Sequence, residues 1–138
     1  MDYRQMTAPC GIDCFNCALY VARENEKLRN IVAKNMNLSF EDAVCNGCRN
    51  QDGKCVAHSV TEPCNVYKCI TKKGIDFCFE CDSFPCDFLH PYADQASTRP
   101  HNTKVFNLCL MKTMGVDAWA ETKAKKVRDT YFKEKFKL

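Results

Sequence analysis

The chain has 138 residues, of which 12 are cysteine, and a formal net charge of +3. That length fits one domain with at most an appended helical element, and no apolar run approaches the ~20 residues that span a bilayer. The N-terminus lacks the basic and apolar stretches of a secretory signal, so we expect a cytoplasmic location. In a reducing compartment clustered cysteines indicate metal ligands, and a disulfide framework is the alternative for an exported chain.

The positive net charge does not indicate an acidic partner, because thiols lose their protons when they bind metal. Ligation of three zinc ions would bring the formal charge from +3 to about −2. Lysine and arginine side chains scattered among the cysteines would then offset the negative charge of the thiolates locally.

The first cluster, CGIDCFNC, contains Cys10, Cys14 and Cys17. Three thiols are one short of the tetrahedron that zinc prefers, and Cys86 is the best candidate for the fourth ligand. Without a fourth protein ligand the site would be open, and an open zinc position permits catalysis. The spacing also matches the cysteines with which radical S-adenosylmethionine enzymes hold an iron–sulfur cluster, but this chain is too short for the large partial barrel of those enzymes.

The segment after the first cluster is predicted to be a helix followed by loops. Apolar residues recur at helical spacing between residues 16 and 35, among them Leu28, Ile31 and Val32. Residues 45–87 then hold eight cysteines and few apolar runs. We expect loops, turns and short helices there, organised by metal ligation.

Two cysteine pairs of the form C-x-x-C in this segment are a strong metal-binding pattern. Cys45 and Cys48 with Cys78 and Cys81 form the obvious four-cysteine set, and Gly47 would permit a tight turn after Cys45. The second set is Cys55, His58, Cys64 and Cys69. His58 is equally well interpreted as a metal ligand or as an exposed loop residue, and Cys55 can be a thiol that binds no metal.

The connector before the C-terminal helices contains His90 and His101, which are expected to be surface loop residues. Asn102 can cap a helix over residues 103–114. Cys109 lies among apolar residues of that helix, where a free cysteine behaves as a small buried hydrophobe.

After Gly115, which is predicted to end that helix, Asp117 can cap a last helix over residues 118–135. Residues 123–137 carry seven lysine or arginine residues against two acidic ones. Such a stretch can contact nucleic acid or an acidic partner. A solvated face of an amphipathic helix is the simpler interpretation.

Together these patterns predict a mainly α fold with irregular, metal-stapled loops and little β structure. We expect a small cysteine-rich zinc-binding domain in which residues 1–90 form the metal-binding region. Residues 91–138 are expected to form a C-terminal helical region that packs on it, so that the chain is one compact domain overall.

The motifs CGIDCFNC, CNGCR and KKGIDFCFECDSFPC resemble the cysteine-rich family named domain of unknown function 3795, whose members are small bacterial and archaeal proteins. The later stretch NLCLMKTMGVDAW, with Asn107, Gly115 and Trp119, resembles the helical part of that family. The resemblance covers nearly the whole chain and implies metal binding, with zinc as the expected ion and no assigned activity. Cys55 and His58 do not match a constant position of the family. Its cysteines fall on Cys10, Cys14, Cys17, Cys45, Cys48, Cys64, Cys69, Cys78, Cys81 and Cys86.

We therefore expect a metal-binding protein that holds two or three zinc ions in mainly structural roles, and an enzyme is not the favoured class. A protein partner is favoured over a nucleic acid, and no association with a membrane is expected. The alternative is an iron–sulfur protein with an electron-transfer or redox-sensing role that uses Cys10, Cys14 and Cys17. The expected ligands are Cys10, Cys14, Cys17, Cys45, Cys48, Cys55, His58, Cys64, Cys69, Cys78, Cys81 and Cys86.

Overall fold

The computed structural model describes residues 1–138, and it confirms a mainly helical fold with almost no strand. The one strand-like pairing is an isolated antiparallel bridge between Cys55 and Val60. None of the helices combines the length and the apolar character that a membrane crossing requires. The α-helices are α1 (Tyr3–Met6), α2 (Ala18–Val21), α3 (Glu26–Met36), α4 (Asn65–Lys73), α5 (Lys104–Met114), α6 (Val116–Trp119) and α7 (Lys125–Lys133). Short 3-10 turns occur at Cys14–Asn16, Arg49–Gln51, Val56–His58, Cys78–Glu80, Asp87–Leu89 and Pro100–Thr103.

The single helix predicted between residues 16 and 35 is in fact two helices, so this prediction is wrong in the middle. α2 ends after about one turn, and Asn25 begins α3 by accepting a hydrogen bond from the Leu28 amide at 3.0 Å. Because an asparagine side chain satisfies a free amide at a helix start, it favours a new helix over continuation of the old one. The left-handed Asn37, with a φ of 53°, then ends α3.

Both predicted C-terminal helices are confirmed, although their first and last residues differ. α5 ends where the sequence predicts, and the Gly115 amide donates to the Met111 carbonyl at 2.8 Å. Asp117 lies inside the first turn of α6 instead of before it, because that helix already begins at Val116. A π-helical turn at Ala120–Ala124 joins α6 to α7.

Asn102 does not cap α5 as the sequence predicts. Its side chain makes two hydrogen bonds with the backbone of Tyr92 instead. The Asn102 Oδ1 accepts from the Tyr92 amide at 2.9 Å, and the Nδ2 donates to the Tyr92 carbonyl at 2.7 Å. These bonds fix the connector onto the start of α5.

The larger hydrophobic core is built around Trp119, whose side chain is fully buried. Phe77, Leu108 and Met111 are buried in the same core. The Phe15 ring meets the Trp119 ring edge to face, with centroids 5.9 Å apart. Residues from both predicted regions, before and after residue 90, contribute to this core.

The first cysteine cluster docks closely on α5 at Gly11. Gly11 has a φ of 91°, and a Cβ atom there would lie 2.7 Å from the Lys104 carbonyl oxygen, so only glycine fits. The buried Asn107 donates from Nδ2 to the Gly11 carbonyl at 2.9 Å and accepts from the Trp119 Nε1 at 3.3 Å. These hydrogen bonds hold the cluster in a fixed position against the helices.

A second and much smaller core lies beside α2 and α3. It contains four buried residues, whereas the larger core contains eleven. Three of its partly buried neighbours are cysteines. Apolar packing therefore supplies little stability to this part of the molecule. The four buried residues are Leu19, Val32, Ala43 and Ala57.

Candidate metal centres

Eleven of the twelve cysteines line one of two neighbouring cavities, and all twelve thiols are free. We call these the seven-cysteine cavity, of about 170 Å³, and the four-cysteine cavity, of about 210 Å³. The seven-cysteine cavity is lined by Cys10, Cys14, Cys17, Cys45, Cys48, Cys55 and Cys64. The four-cysteine cavity is lined by Cys69, Cys78, Cys81 and Cys86.

This grouping corrects the sets drawn from sequence spacing. Cys45 and Cys48 do not share a cavity with Cys78 and Cys81. Cys86 joins the second of these pairs and not the first cluster. Spacing along the chain shows which thiols belong to the same turn, but it does not show which turns come together in the folded protein.

Cys69 also belongs to a different group from the one expected, because it lies on α4. Val66, Ile70 and Lys73 line the four-cysteine cavity with it. These four residues follow the i, i+3, i+4, i+7 spacing of one helix face. The helical stripe therefore carries Cys69 toward Cys78 and away from the loop that contains Cys55.

Backbone hydrogen bonds hold the loops around the seven-cysteine cavity. The Cys45 amide donates to the Leu19 carbonyl at 3.0 Å, which attaches the CNGC turn to α2. The Gly53 amide donates to the Cys48 carbonyl at 2.8 Å, and the Gly53 carbonyl accepts from the Cys64 amide at 3.3 Å. The two loops thus hold each other at a fixed separation.

Backbone amides donate hydrogen bonds to several sulfurs, as they do in metal-binding cysteine turns. Such bonds favour the thiolate over the protonated thiol. Gly47 has a φ of 89°, which confirms the tight turn predicted after Cys45. The donors, each 3.4 Å from its sulfur, are Gly47 for Cys45, Tyr67 for Cys64 and Ser83 for Cys81.

The thiols of the seven-cysteine cavity form two hydrogen-bonded pairs. Cys48 donates to Cys64, which lowers the pKa of Cys64 to about 6 and raises the pKa of Cys48. The interaction of Cys45 with Cys55 lowers the pKa of Cys55 to about 7 and raises the pKa of Cys45, and the Cys45 thiol also donates to the Gln51 Oε1 at 3.2 Å. In each pair the thiol with the lowered pKa ionises more readily, and the thiol with the raised pKa keeps its proton.

Each hydrogen-bonded pair has neighbours in the first cluster. The charges of Cys10 and Cys14 are close enough to add to the raised pKa of Cys48. The charges of Cys17 and, to a smaller extent, Cys14 act on Cys55, where they oppose the net lowering of its pKa, and the Cys55 sulfur also faces the His58 amide. Two groups of four candidate ligands result. The inner group is Cys10, Cys14, Cys48 and Cys64, and the outer group is Cys17, Cys45, Cys55 and His58.

Cationic side chains surround the seven-cysteine cavity. Arg23, whose guanidinium lies 3.7 Å from the Tyr20 ring centroid, is near Cys45. Because opposite charges favour ionisation, these cations stabilise thiolates over thiols. The remaining neighbours are Lys104 for Cys10 and Cys64, and Arg128 for Cys14 and Cys17.

A buried ion pair ties α7 to the first cluster. The Arg128 guanidinium donates to the Asp13 carboxylate through Nε at 2.8 Å and through a terminal nitrogen at 2.7 Å. The Asp13 side chain is 2% exposed, and the Asn16 side-chain Nδ2 also donates to its carboxylate at 3.0 Å. The arrangement is a forked, charge-assisted contact between segments that are far apart in the sequence.

The four-cysteine cavity has its own charge partner. The Lys73 Nζ donates to the Cys81 sulfur at 2.9 Å, and this bond lowers the pKa of Cys81. Burial, by contrast, raises the pKa of Cys78 to about 12. The cavity walls are otherwise mostly apolar, with Phe84 and Leu89 among them.

Cys10 lies at the boundary of the two cavities. It lines the seven-cysteine cavity, and after burial its charge is the largest contribution to the raised pKa of Cys78 in the other cavity. The Cys78 amide donates to the carbonyl of Pro9 at 3.0 Å, so the two segments are in direct contact. The two groups of thiols therefore interact electrostatically.

Two histidines, His58 and His101, line the seven-cysteine cavity, and His101 is at the same time exposed, as expected for a surface position. Burial lowers the pKa of His58, and Arg99 adds to this effect. Burial, followed by the charges of Lys104 and Arg99, lowers the pKa of His101 to about 4. Both imidazoles are therefore neutral near pH 7, which is the form that binds metal. No local pattern around His101 distinguishes it from a surface residue.

Cys109 is exposed, so the prediction of a small buried hydrophobe at this position is wrong. Leu108 and Met111 are the α5 residues that face the core. Cys109 lies outside their stripe and lines neither thiol cavity. It is therefore not a candidate ligand.

As the side chains stand, no three histidine, cysteine, aspartate or glutamate groups converge in the geometry that one metal ion requires. Ligation would need the paired thiols to give up their mutual hydrogen bonds and turn toward a common centre. The donor chemistry fits a soft or borderline ion such as zinc, because thiolate and imidazole are its usual ligands. The amide and cation contacts on the sulfurs are those that support bound thiolates.

The molecule is thus a small, mainly helical, cysteine-rich protein whose thiols gather around two adjacent cavities. A family model described as "Protein of unknown function (DUF3795)" matches residues 6–91, which is more than half of the chain. The chain belongs to that family, as the cysteine motifs predict, and the match ends before the NLCLMKTMGVDAW stretch. No curated protein and no solved structure matches the chain.

Proposed function

We propose that this chain is a metal-binding protein whose ions, zinc in the first instance, organise its cysteine-rich segment. The observation that carries the proposal is the gathering of eleven thiols around two cavities. With His58 they make twelve donors, which is the number that three tetrahedral zinc sites require. The inner group, the outer group and the four-cysteine cavity supply four donors each.

A structural role for the metal is supported by the distribution of apolar packing. Three cysteines of the seven-cysteine cavity, Cys17, Cys45 and Cys55, pack against a core of only four buried residues, whereas Cys10 and Cys64 pack against the larger core. Structural zinc contributes about 10–16 kcal/mol of apparent binding free energy per site in small peptides, comparable to the stability of a whole domain. Metal ligation would therefore replace the core that this region lacks.

An iron–sulfur cluster on Cys10, Cys14 and Cys17 plus one further thiol is the second candidate. The observation that favours it is the crowding of seven thiols in one cavity, which offers more sulfur than one zinc ion needs. Such a cluster would support electron transfer or redox sensing. Its four ligands would come from the inner and outer groups together.

We further propose a cytoplasmic protein that acts by binding a protein partner, with nucleic acid as the weaker alternative. Free thiols in this number suit a reducing compartment. The lysines of α7 that could contact nucleic acid are partly engaged within the helix, since Lys125 and Lys133 both bind Asp129. This pairing supports the interpretation of α7 as a solvated helix face.

Metal analysis of anaerobically purified protein tests the proposal. We expect three zinc ions per chain in colourless protein, because twelve donors form three tetrahedra. Iron with absorption near 400 nm would select the cluster instead. Protein free of metal that remains folded and monodisperse would refute both.

Single cysteine variants assign the ions to the two cavities. Cys81→Ser removes one ligand of the four-cysteine cavity and is expected to lose one zinc ion. Cys48→Ser removes one ligand of the inner group and is expected to lose one or both ions of the seven-cysteine cavity. Cys109→Ser is the matched control, since its thiol lines neither cavity. An equal loss in all three variants would refute the assignment.

A further inference from the structure

A polar cleft beside the start of α5 differs in character from the two thiol cavities. Its volume is about 390 Å³, and no cysteine lines it. Arg99, His101, Lys104 and Asp94 line it together with the exposed His90 and Tyr92, which we call its rim. Arg99 and His101 also line the seven-cysteine cavity, so the two spaces are neighbours.

Two cations of the cleft have no carboxylate partner. Neither Arg99 nor Lys104 takes part in any ion pair of the molecule. Lys104 is only 8% exposed, and the one hydrogen bond from its Nζ goes to the Phe88 carbonyl at 3.2 Å. A buried ammonium is costly unless a counter-charge or further acceptors satisfy it. Asp94 lies in the same cleft but beyond ion-pair distance of both cations.

The cleft is also held in shape before any ligand binds. The double hydrogen bond between Asn102 and Tyr92 fixes the rim on α5. The Arg99 amide donates to the Gln95 carbonyl at 2.9 Å, which closes the turn that carries the guanidinium. α5 begins at Lys104, directly after the 3-10 turn Pro100–Thr103, and the Lys104 amide donates to the His101 carbonyl, so the turn and the helix form one continuous support for the cleft.

We propose that this cleft binds a phosphate group through the Arg99 guanidinium and the Lys104 ammonium. Two cations without a carboxylate partner suit a dianion better than a monoanion, and a planar guanidinium donates two parallel hydrogen bonds to phosphate oxygens. The cleft is larger than one phosphate ion, and the His90 and Tyr92 rings, with centroids 5.4 Å apart, lie on its rim. The bound group is therefore carried by a small molecule with an aromatic or other planar part. This inference goes beyond the proposed metal function, because none of the cleft residues is a thiol.

Titration of the full-length, metal-loaded protein tests the inference, with inorganic phosphate and phenyl phosphate as probes and acetate as the comparison. Calorimetry is expected to give one saturable site, with phenyl phosphate binding more tightly than inorganic phosphate and acetate more weakly. Equal affinity of the two phosphate probes would show that free phosphate is the ligand. That result would overturn the inference that the phosphate belongs to a molecule with an aromatic or other planar part. Absence of saturable phosphate binding would overturn the whole inference.

Charge-matched variants locate the site. Arg99→Gln is expected to weaken phosphate binding about tenfold or more, since a charge-assisted forked contact is lost. Lys126→Gln removes the same charge from α7, outside the cleft, and is expected to leave the affinity within about twofold. Equal weakening by both variants would show a nonspecific charge effect and refute the site.

Metal content and circular dichroism are measured on each variant, so that failure of the phosphate site and failure of the metal proposal stay distinguishable. The Arg99 guanidinium makes no ion pair, so its replacement is expected to leave the fold intact. Lys104→Met, which keeps most of the side-chain volume, provides a second variant with the same expected loss of phosphate binding. Folded variants that retain the wild-type affinity for phosphate would refute the inference.

Discussion

The two thiol cavities differ in what holds their walls. The four-cysteine cavity lies against the larger core, and Val66, Ile70, Cys78 and Leu89 belong to both. In the seven-cysteine cavity Cys10 and Cys64 pack against the larger core, but the loops that carry Cys17, Cys45 and Cys55 pack against a core of only four buried residues. The first region therefore has apolar packing that is independent of any ion, whereas the second depends on polar contacts and ligation. The stability of the two regions should therefore depend on bound metal to different degrees.

The largest expected effect comes from metal removal with a strong chelator under reducing, anaerobic conditions. We expect the amides of residues 45–64 to lose hydrogen-exchange protection, while those of α5 and α6 keep most of theirs. The reason is that each lost zinc site removes on the order of 10 kcal/mol, and only the region built on the larger core has apolar packing to compensate. Trp119 fluorescence reports the larger core in the same sample.

Re-addition of zinc is the control for that experiment, and it should restore protection in residues 45–64. A uniform loss of protection along the chain would show that the two regions unfold as one unit. Full protection after verified metal removal would show that ligation does not hold the loops.

A smaller effect is expected from Arg128→Met, which leaves the Asp13 carboxylate buried without its partner. Breaking a buried ion pair in this way costs about 3–5 kcal/mol. We expect that loss in the free energy of unfolding measured by denaturant titration, with the first cluster losing hydrogen-exchange protection before α4. The effect would sharpen the comparison, because it acts on the seven-cysteine side alone.

Lys133→Met is the matched control, because it breaks an ion pair on the same helix whose members are largely exposed. Exposed pairs contribute about 0–1 kcal/mol, so little change is expected. Similar losses in the two variants would mean that burial of Asp13 is not the cause.

The smallest effect is expected from Lys73→Met in the four-cysteine cavity. Loss of the 2.9 Å contact removes the cause of the lowered pKa of Cys81, so protons compete with metal for this sulfur at higher pH. We expect zinc release to a competing chelator to become faster by about tenfold or less, since such supporting contacts modulate metal affinity. Lys72→Met, an exposed neighbour outside the cavity, should release zinc at the wild-type rate.

The helices were predictable from the sequence where the deciding interaction is local. Gly74 and Gly115 end α4 and α5, as their position after an apolar stripe indicates. Asn25 shows the limit of periodicity, because a capping side chain inside an apolar pattern starts a second helix. Both outcomes depend on contacts within a few residues.

Which cysteines line the same cavity was not predictable from their spacing. The i, i+3, i+4, i+7 stripe of Val66, Cys69, Ile70 and Lys73 was the one available signal, since it places Cys69 on the face of α4 that meets the core. No comparable pattern exists for His101. Its position depends on how the connector folds back on α5, through the hydrogen bonds of Asn102 with Tyr92.

The position of Cys10 between the cavities has a consequence for the order of metal loading. Burial is the largest cause of the raised pKa of Cys78 and the charge of Cys10 the next, so a divalent cation held by Cys10 would remove the second of these causes. The first ion would thereby prepare the ligands of the next, and by reciprocity the second would tighten the first. Filling of the two compartments would then be cooperative, with half-loaded chains scarce at intermediate zinc.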